Sequence, residues 1–303
     1  MDVRFLGTLV TVIECGSVAE AGRRLNLTAA GVAQRIRALE AEIGVRLVAR
    51  SGRTMRPTAA AVAILDRARN VQREVRDLKS IAAGGMLSGE LRLGVIPTML
   101  SSLFPDVLAQ FAKAHPQIQV RVIRNNSAGL YRELFDGHVD VAFTSHPYFA
   151  IPKTCEWSLL REEPFVVITP AGMPARHPHA ILATEPFIRL DRKVYAGQSI
   201  DNYLRKNGIH PNERLELDGL DAIVIMVDRG LGVSLLPDWA PPWPEGLALR
   251  KVRLPDRSFA RRIGLLWMRS SLRVGLIHVF LQQARRTLNP GSDVKPRTRG
   301  AAT

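Results

Sequence analysis

The segment GSVAEAGRRLNLTAAGVAQRIRALEAEI, residues 16–43, sets hydroxyl, amide and guanidinium groups along two short apolar-striped runs. Ser17 and Glu20 form a capping box that starts one helix at Val18, and Thr28 is a suitable cap for the next. In that second run Val32, Ile36 and Leu39 recur at helical spacing and form an inward stripe. Ala29, Ala30, Ala33, Gln34 and Arg37 lie away from the stripe, with Thr28 at the head of the helix. A glutamine so placed can pair its amide with adenine, alanine methyls can meet thymine methyls, and arginine can hold phosphate. The chemistry on offer is contact with a DNA groove.

Catalytic chemistry finds less support. No nucleophile elbow, phosphate-binding Walker loop or metal-spaced histidine cluster occurs in the sequence. His146, His177 and His179 fall in proline-rich stretches and read as surface histidines. "GLGV" at 230–233 is half of a dinucleotide fingerprint and lacks the third glycine. Cys15 and Cys155 are the two cysteines, far apart, which argues against a disulfide framework and gives no metal spacing. The expectation is a non-enzyme with no cofactor.

The elements around the opening segment support a nucleic-acid reading. Val3, Leu6, Val10 and Ile13 stripe a first helix, broken at Gly16, so three short helices with a polar turn form a helix-turn-helix. "GVRLVARSGRTMRPT" then reads as a basic two-stranded wing around a Ser51-Gly52 turn. Thr58 can cap a long helix to about Ala82, striped by Val62, Leu65, Ala68, Val75 and Leu78, which should pair with another helix. "AAGGMLSGE" loosens the chain. From Leu91 onward strands and helices alternate as βαβαβ: "LRLGVI", a helix over "SSLFPDVLAQFAKAH", "IQVRVI", a helix at "AGLYRELFDG" and "VDVAFT". "EPFVVITP" opens a second set, and "RIGLLWM" with the helix "LRVGLIHVFLQQARRTL" closes the pattern.

The 303 residues suffice for about two domains. A net charge of +14 favours partners that carry phosphate. Phe5–Ile13 is apolar, but Asp2 stands where a signal peptide would be basic, and no run approaches a membrane span. A cytoplasmic protein without a membrane partner is expected.

This layout resembles the LysR-type transcriptional regulators over nearly the whole chain. Residues 1–58 follow the family's DNA-binding pattern without a gap, with "GS" before the second helix and "A..L..T...V..RI..LE..IG..L..R..R...PT" after it. "GELRLGV", "FDGHVDVAFT" and "DRGLGVSLLP" resemble landmarks of the family's effector domain. The chain departs at Thr28-Ala29-Ala30-Gly31-Val32-Ala33, where methyl groups replace residues that are usually polar, and at Val48 and Pro57 by the wing.

The resemblance implies an α/β fold class with an N-terminal all-α winged helix-turn-helix and a two-lobed effector domain like periplasmic binding proteins. The expected divisions are 1–58 for the winged domain, 59–89 for a dimerisation helix and hinge, and 90–289 for the effector domain. The second lobe should span about 164–262, and 290–303 should be a disordered basic tail. Arg53 at the wing tip resembles the family arginine that reaches the backbone or minor groove. Ligands of such two-lobed sheets sit at strand carboxyl ends near helix N-termini. That nominates Thr98, Ser127, Thr144, Ser145, Gly197, Gln198 and Asp218 as the effector site. Arg189, Arg192 and Lys193 hint that the effector is anionic. Val62, Leu65, Val75 and Leu78 are the expected dimer stripe of a homodimer or homotetramer. Double-stranded DNA, a small-molecule effector and RNA polymerase are the expected partners of this transcriptional regulator. The competing class is a two-lobed solute-binding protein with a non-specific DNA-binding appendage; it would need an export signal and no winged helix.

Overall fold

A computed structural model describes residues 1–52, 54–82 and 89–288, and divides the chain into two compact units, one ending at Gly89 and one starting at Glu90. The first unit holds α1 (Val3–Cys15), α2 (Val18–Leu25), α3 (Ala29–Ile43), the hairpin β1 (Val48–Ser51) and β2 (Thr54–Pro57), and α4 (Ala59–Ala82). α1 packs against α2, α3 and α4 at once, so its buried set is Leu6, Leu9, Val10 and Val12 rather than a single stripe. The hairpin turns at Gly52 in the left-handed region, where a residue without a Cβ is favoured.

The second unit has two separate apolar cores, one per lobe. The first lobe contains β3 (Gly89–Val95), α5 (Pro97–Ser101), α6 (Phe104–Ala114), β4 (Ile118–Arg124), α7 (Ser127–Phe135) and β5 (Val141–Ser145). The sequence suggested one helix through "SSLFPDVLAQFAKAH"; the structure breaks it at Ser102-Leu103. Pro105 explains the break, because a proline is tolerated in a first helical turn but not in an interior.

β6 (Cys155–Pro170) was expected to begin near Glu163. It is instead one 16-residue strand shared by both lobes. Its first part pairs antiparallel with β11 (Ala260–Met268), and its second with β9 (Ser234–Pro237) and β10 (Leu249–Arg253). The first lobe's sheet therefore runs β4-β3-β5-β11-β6, with β3 and β5 parallel. The second lobe adds α8 (Pro178–Thr184), β7 (Pro186–Leu190), α9 (Tyr195–Lys206), β8 (Asn212–Leu217) and α10 (Leu220–Asp228). β7 and β8 are parallel, and a bridge from Phe187 to Val233 joins β7 to the segment entering β9. α11 (Val274–Leu288) returns to pack on α6 of the first lobe. The tail expected at 290–303 lies outside the described residues.

Candidate nucleic-acid interface and interlobe cleft

Three backbone economies shape the helix-turn-helix. Ser17 Oγ accepts from Glu20 N at 3.3 Å, and Thr28 Oγ1 accepts from Gly31 N at 3.1 Å, so both expected caps form. Between them Asn26 ends α2 in the left-handed region at φ 52°. Gly22 makes the turn possible: a Cβ there would lie 2.7 Å from the Leu27 carbonyl oxygen. A Cβ on Gly31 would meet the helix's own cap, Thr28 Oγ1, at 3.3 Å.

With Val32, Ile36 and Leu39 buried, α3 exposes Thr28, Ala29, Ala30, Gln34 and Arg37, and leaves Ala33 half-buried. The wing is fastened to that helix by Glu40, whose Oε1 accepts from Leu47 N at 2.7 Å and Val48 N at 3.1 Å. Thr58 Oγ1 donates to the Arg46 carbonyl at 2.8 Å and caps α4 by accepting from Ala61 N. Met55 N donates to the Gly16 carbonyl at 2.8 Å, tying β2 to the end of α1. Arg50 and Arg56 stand exposed on the hairpin, while Arg53 lies outside the described residues. An exposed helix face beside a fixed basic hairpin is the arrangement that lets a helix enter a groove while the hairpin holds the backbone.

α4 does not carry the single stripe expected of it. Ala61 and Ala68 are buried, and Ile64 and Leu65 pack against the core of the winged unit. Leu65 is half-buried against the core of its own domain. Val62 and Leu78 are 59% and 58% exposed, and Val75 is half-buried.

In the second unit a cleft of about 270 Å³ opens between the lobes. Thr98, Ser127, Ser145 and Asp218, all nominated from sequence, line it. Neither Thr98 nor Ser127 is engaged in capping: Asn126 Oδ1 caps α7 through Gly129 N at 2.8 Å, and Thr98 sits inside α5. The Ser127 and Ser145 hydroxyls are 3.0 Å apart. Three nominated residues are elsewhere. Thr144 is buried and, as the neighbour of Ser145 on a strand, points to the opposite face. Gly197 and Gln198 lie within the first turns of α9 rather than in a loop, and a Cβ on Gly197 would sit 2.0 Å from the Asp191 carbonyl oxygen. That glycine serves helix packing.

Arg261 and Arg124, which sequence reasoning missed, also line the cleft. Arg261 is 6% exposed; its Nε donates to Glu163 Oε2 at 2.8 Å and its Nη2 to Thr98 Oγ1 at 3.2 Å. Nη2 also pairs with Glu163, while Nη1 makes no hydrogen bond among the described residues. A usable signal was the pair of oppositely charged runs "REEP" and "ARRI" inside otherwise apolar strands. Two of the three basic residues that had suggested an anionic effector are occupied. Arg189 pairs with Asp201 and Glu213, and Arg192 with Glu213, Glu216 and Asp201, while neither they nor Lys193 line the cleft. The Arg189 guanidinium beside Glu213, with Arg192, holds that carboxyl below the usual glutamate range.

Beside the cleft, Tyr195 at the start of α9 meets Tyr148 and Phe149 of the first lobe, ring centroids 5.7 and 5.8 Å apart. Burial pushes the Tyr195 phenol up to about 12. Among the described residues no cluster of metal-ligating side chains occurs, and no helix is long and apolar enough to cross a membrane.

Residues 3–62 match the bacterial regulatory helix-turn-helix proteins of the lysR family, and residues 84–289 match the LysR substrate binding domain. The chain is 30% identical over 246 residues to the uncharacterized HTH-type transcriptional regulator YnfL of Escherichia coli, covering 78% of this chain and 82% of that protein. It is also 30% identical over 283 residues, 88% of each chain, to a probable hydrogen peroxide-inducible genes activator of Mycobacterium avium. In fold it is similar to a full-length OxyR variant of Pseudomonas aeruginosa, with a TM-score of 0.71 at 23% identity, over 98% of this chain and 99% of that one. Helix-turn-helix, α/β effector unit and these matches together make the chain a member of the LysR family of DNA-binding transcriptional regulators.

Proposed function

We propose that this regulator reads its operator with α3, through Gln34 and the alanine methyls, while the wing and Arg37 hold phosphate. In this reading its grip on the promoter depends on a small molecule with an anionic group bound in the interlobe cleft. The observation that carries the effector reading is Arg261, a buried guanidinium whose free Nη1 belongs to a cleft-lining residue beside three hydroxyls. Thr98, Ser127 and Ser145 are the neutral partners of that group. Arg124, at the end of β4 and exposed, adds a second cation.

A thiol switch, which the name of the mycobacterial relative brings to mind, is less favoured by the residues. The effector unit has one cysteine, Cys155, which is 3% exposed and donates to Met268 Sδ at 3.4 Å. Burial raises its pKa, and a buried neutral thiol is a poor nucleophile toward an oxidant. The protein acts without catalysis, in the cytoplasm, as an oligomer joined through α4. It modulates RNA polymerase at the promoter it binds.

Footprinting full-length protein on the DNA flanking its own gene tests the reading, with small carboxylates added in turn. A carboxylate that changes the footprint of the wild type but not of the double variant Arg261→Met with Glu163→Gln, which leaves no unpaired buried charge, supports it. Footprints that respond identically in both proteins overturn the role given to the cleft.

A further inference from the structure

The two walls of the cleft carry opposite charge. On the first lobe stand Arg124 and Arg261; on the second, the charged lining residues are Asp218 and Asp221. Acidic residues on that wall are unexpected on a chain of net charge +14. Neither aspartate makes an ion pair or a side-chain hydrogen bond among the described residues. Nor is either one needed as a cap: α10 begins at Gly219 with no side-chain capping bond. Asp221 lies in the first turn of α10. Facing it across the cleft is a guanidinium that is itself buried and has a nitrogen without a hydrogen-bond partner among the described residues.

We infer that the effector is a small zwitterion, an ammonium carboxylate of the amino-acid type, whose carboxylate meets Arg261 and whose ammonium meets Asp218 and Asp221. This rests on the reading that the cleft is the effector site. A cleft of about 270 Å³ has room for a small molecule. Because the two charged walls belong to different lobes, only a molecule bearing both charges satisfies both walls at once. A plain anion satisfies Arg261 but leaves the aspartates facing each other or facing its own negative charge. Zwitterions therefore stabilise the lobes in contact with each other, and plain anions occupy the same cleft without doing so.

Calorimetric titration of the full chain tests this with three sets of probes: the common L-amino acids, the 2-hydroxy acids with matching side chains, and the dicarboxylates malonate and succinate. At least one amino acid should bind about tenfold more tightly than its hydroxy acid, as expected for one added charge-assisted contact. Asp218→Asn with Asp221→Asn should erase that preference while hydroxy acids still bind, at least as tightly as before, because two negative charges leave the cleft. Arg261→Met should abolish binding of both. The zwitterion is overturned if no amino acid binds, if hydroxy acids or dicarboxylates bind as tightly, or if the preference survives the double substitution. Dicarboxylate binding that needs Arg261, without amino-acid binding, defeats the zwitterion but keeps the cleft as the effector site. No Arg261-dependent binding of any probe defeats the cleft reading itself.

Discussion

Arg261 and Glu163 face each other on paired strands β11 and β6, with Nε 2.8 Å from Oε2 and both side chains almost fully buried. The carboxylate holds the guanidinium at the cleft and offsets its desolvation. Removing one partner of such a pair leaves an uncompensated charge, whereas replacing both is often close to neutral. Glu163→Gln should therefore destabilise the effector unit by about 3 kcal/mol. Adding Arg261→Met should restore most of that loss. All four tryptophans lie in this unit, so urea unfolding followed by tryptophan fluorescence reports on it alone. Equal stability of Glu163→Gln and wild type would show that the pair is dispensable.

Glu213 gives the effector unit a pH dependence of definite sign. Its folded pKa lies below that of an unfolded glutamate, about 4.3, because Arg189 and Arg192 flank it. Between the two values the unfolded chain binds more protons, so stability falls as pH drops through that window. Thermal midpoints measured from pH 6 downward should fall less steeply below about pH 4.3 in Glu213→Gln than in the wild type. Parallel curves would remove Glu213 from acid sensitivity.

If the chain assembles through α4 as proposed, its two faces separate folding from assembly. Val62→Asp with Leu78→Asp alters only exposed positions, so it should convert the oligomer to monomer in sedimentation while leaving the far-ultraviolet spectrum intact. Leu65→Asp places a charge against the winged core and should cost about 2 kcal/mol of that unit's stability. A double variant that sediments like the wild type would show that α4 is not the assembly helix.

What the sequence disclosed follows from which signals are local. Capping residues Ser17 and Thr28 announce α2 and α3 because a cap is a bond within four residues. The stripe on α4 gave its helix but not its partner: periodicity says that Leu65 is covered, not by what. Likewise Ser145 and Thr144 both end a strand, and only the strand's parity decides which one faces the cleft. Arg261 escaped notice because its function depends on Glu163, nearly a hundred residues away. β6 was cut short for a related reason, since its two parts serve different lobes and no single alternation runs through it.

Glu40 fastens the wing to α3. Its Oε1 takes two backbone N–H groups, Leu47 and Val48, that would otherwise need water. Glu40→Ala should lower the winged unit's stability by about 2 kcal/mol, in keeping with bonds to a charged acceptor. Amide exchange at Leu47 and Val48 should accelerate. DNA affinity should fall by a similar factor on operator and random duplexes, because a wing so held acts on the backbone. Unchanged exchange at those two amides would show that Glu40 does not fasten the wing.

In the proposed reading, sequence readout by α3 depends on Gln34. It is exposed, and around it Ala29 and Ala30 offer only methyl groups, so few hydrogen bonds to base edges are available. If its amide pairs with adenine, Gln34→Ala should cost about 1–3 kcal/mol at the operator and much less on random DNA. Arg37→Ala should instead weaken both complexes alike and flatten the salt dependence, as loss of the proposed phosphate contact requires. The methyl face adds an independent expectation, that replacing thymine by uracil at single positions of the half-site weakens binding. These readouts divide the interface cleanly. A specificity ratio unchanged in Gln34→Ala, together with indifference to uracil, would move sequence preference from this helix to DNA shape. It would then arise from the cost of bending the duplex and from the groove width met by the wing.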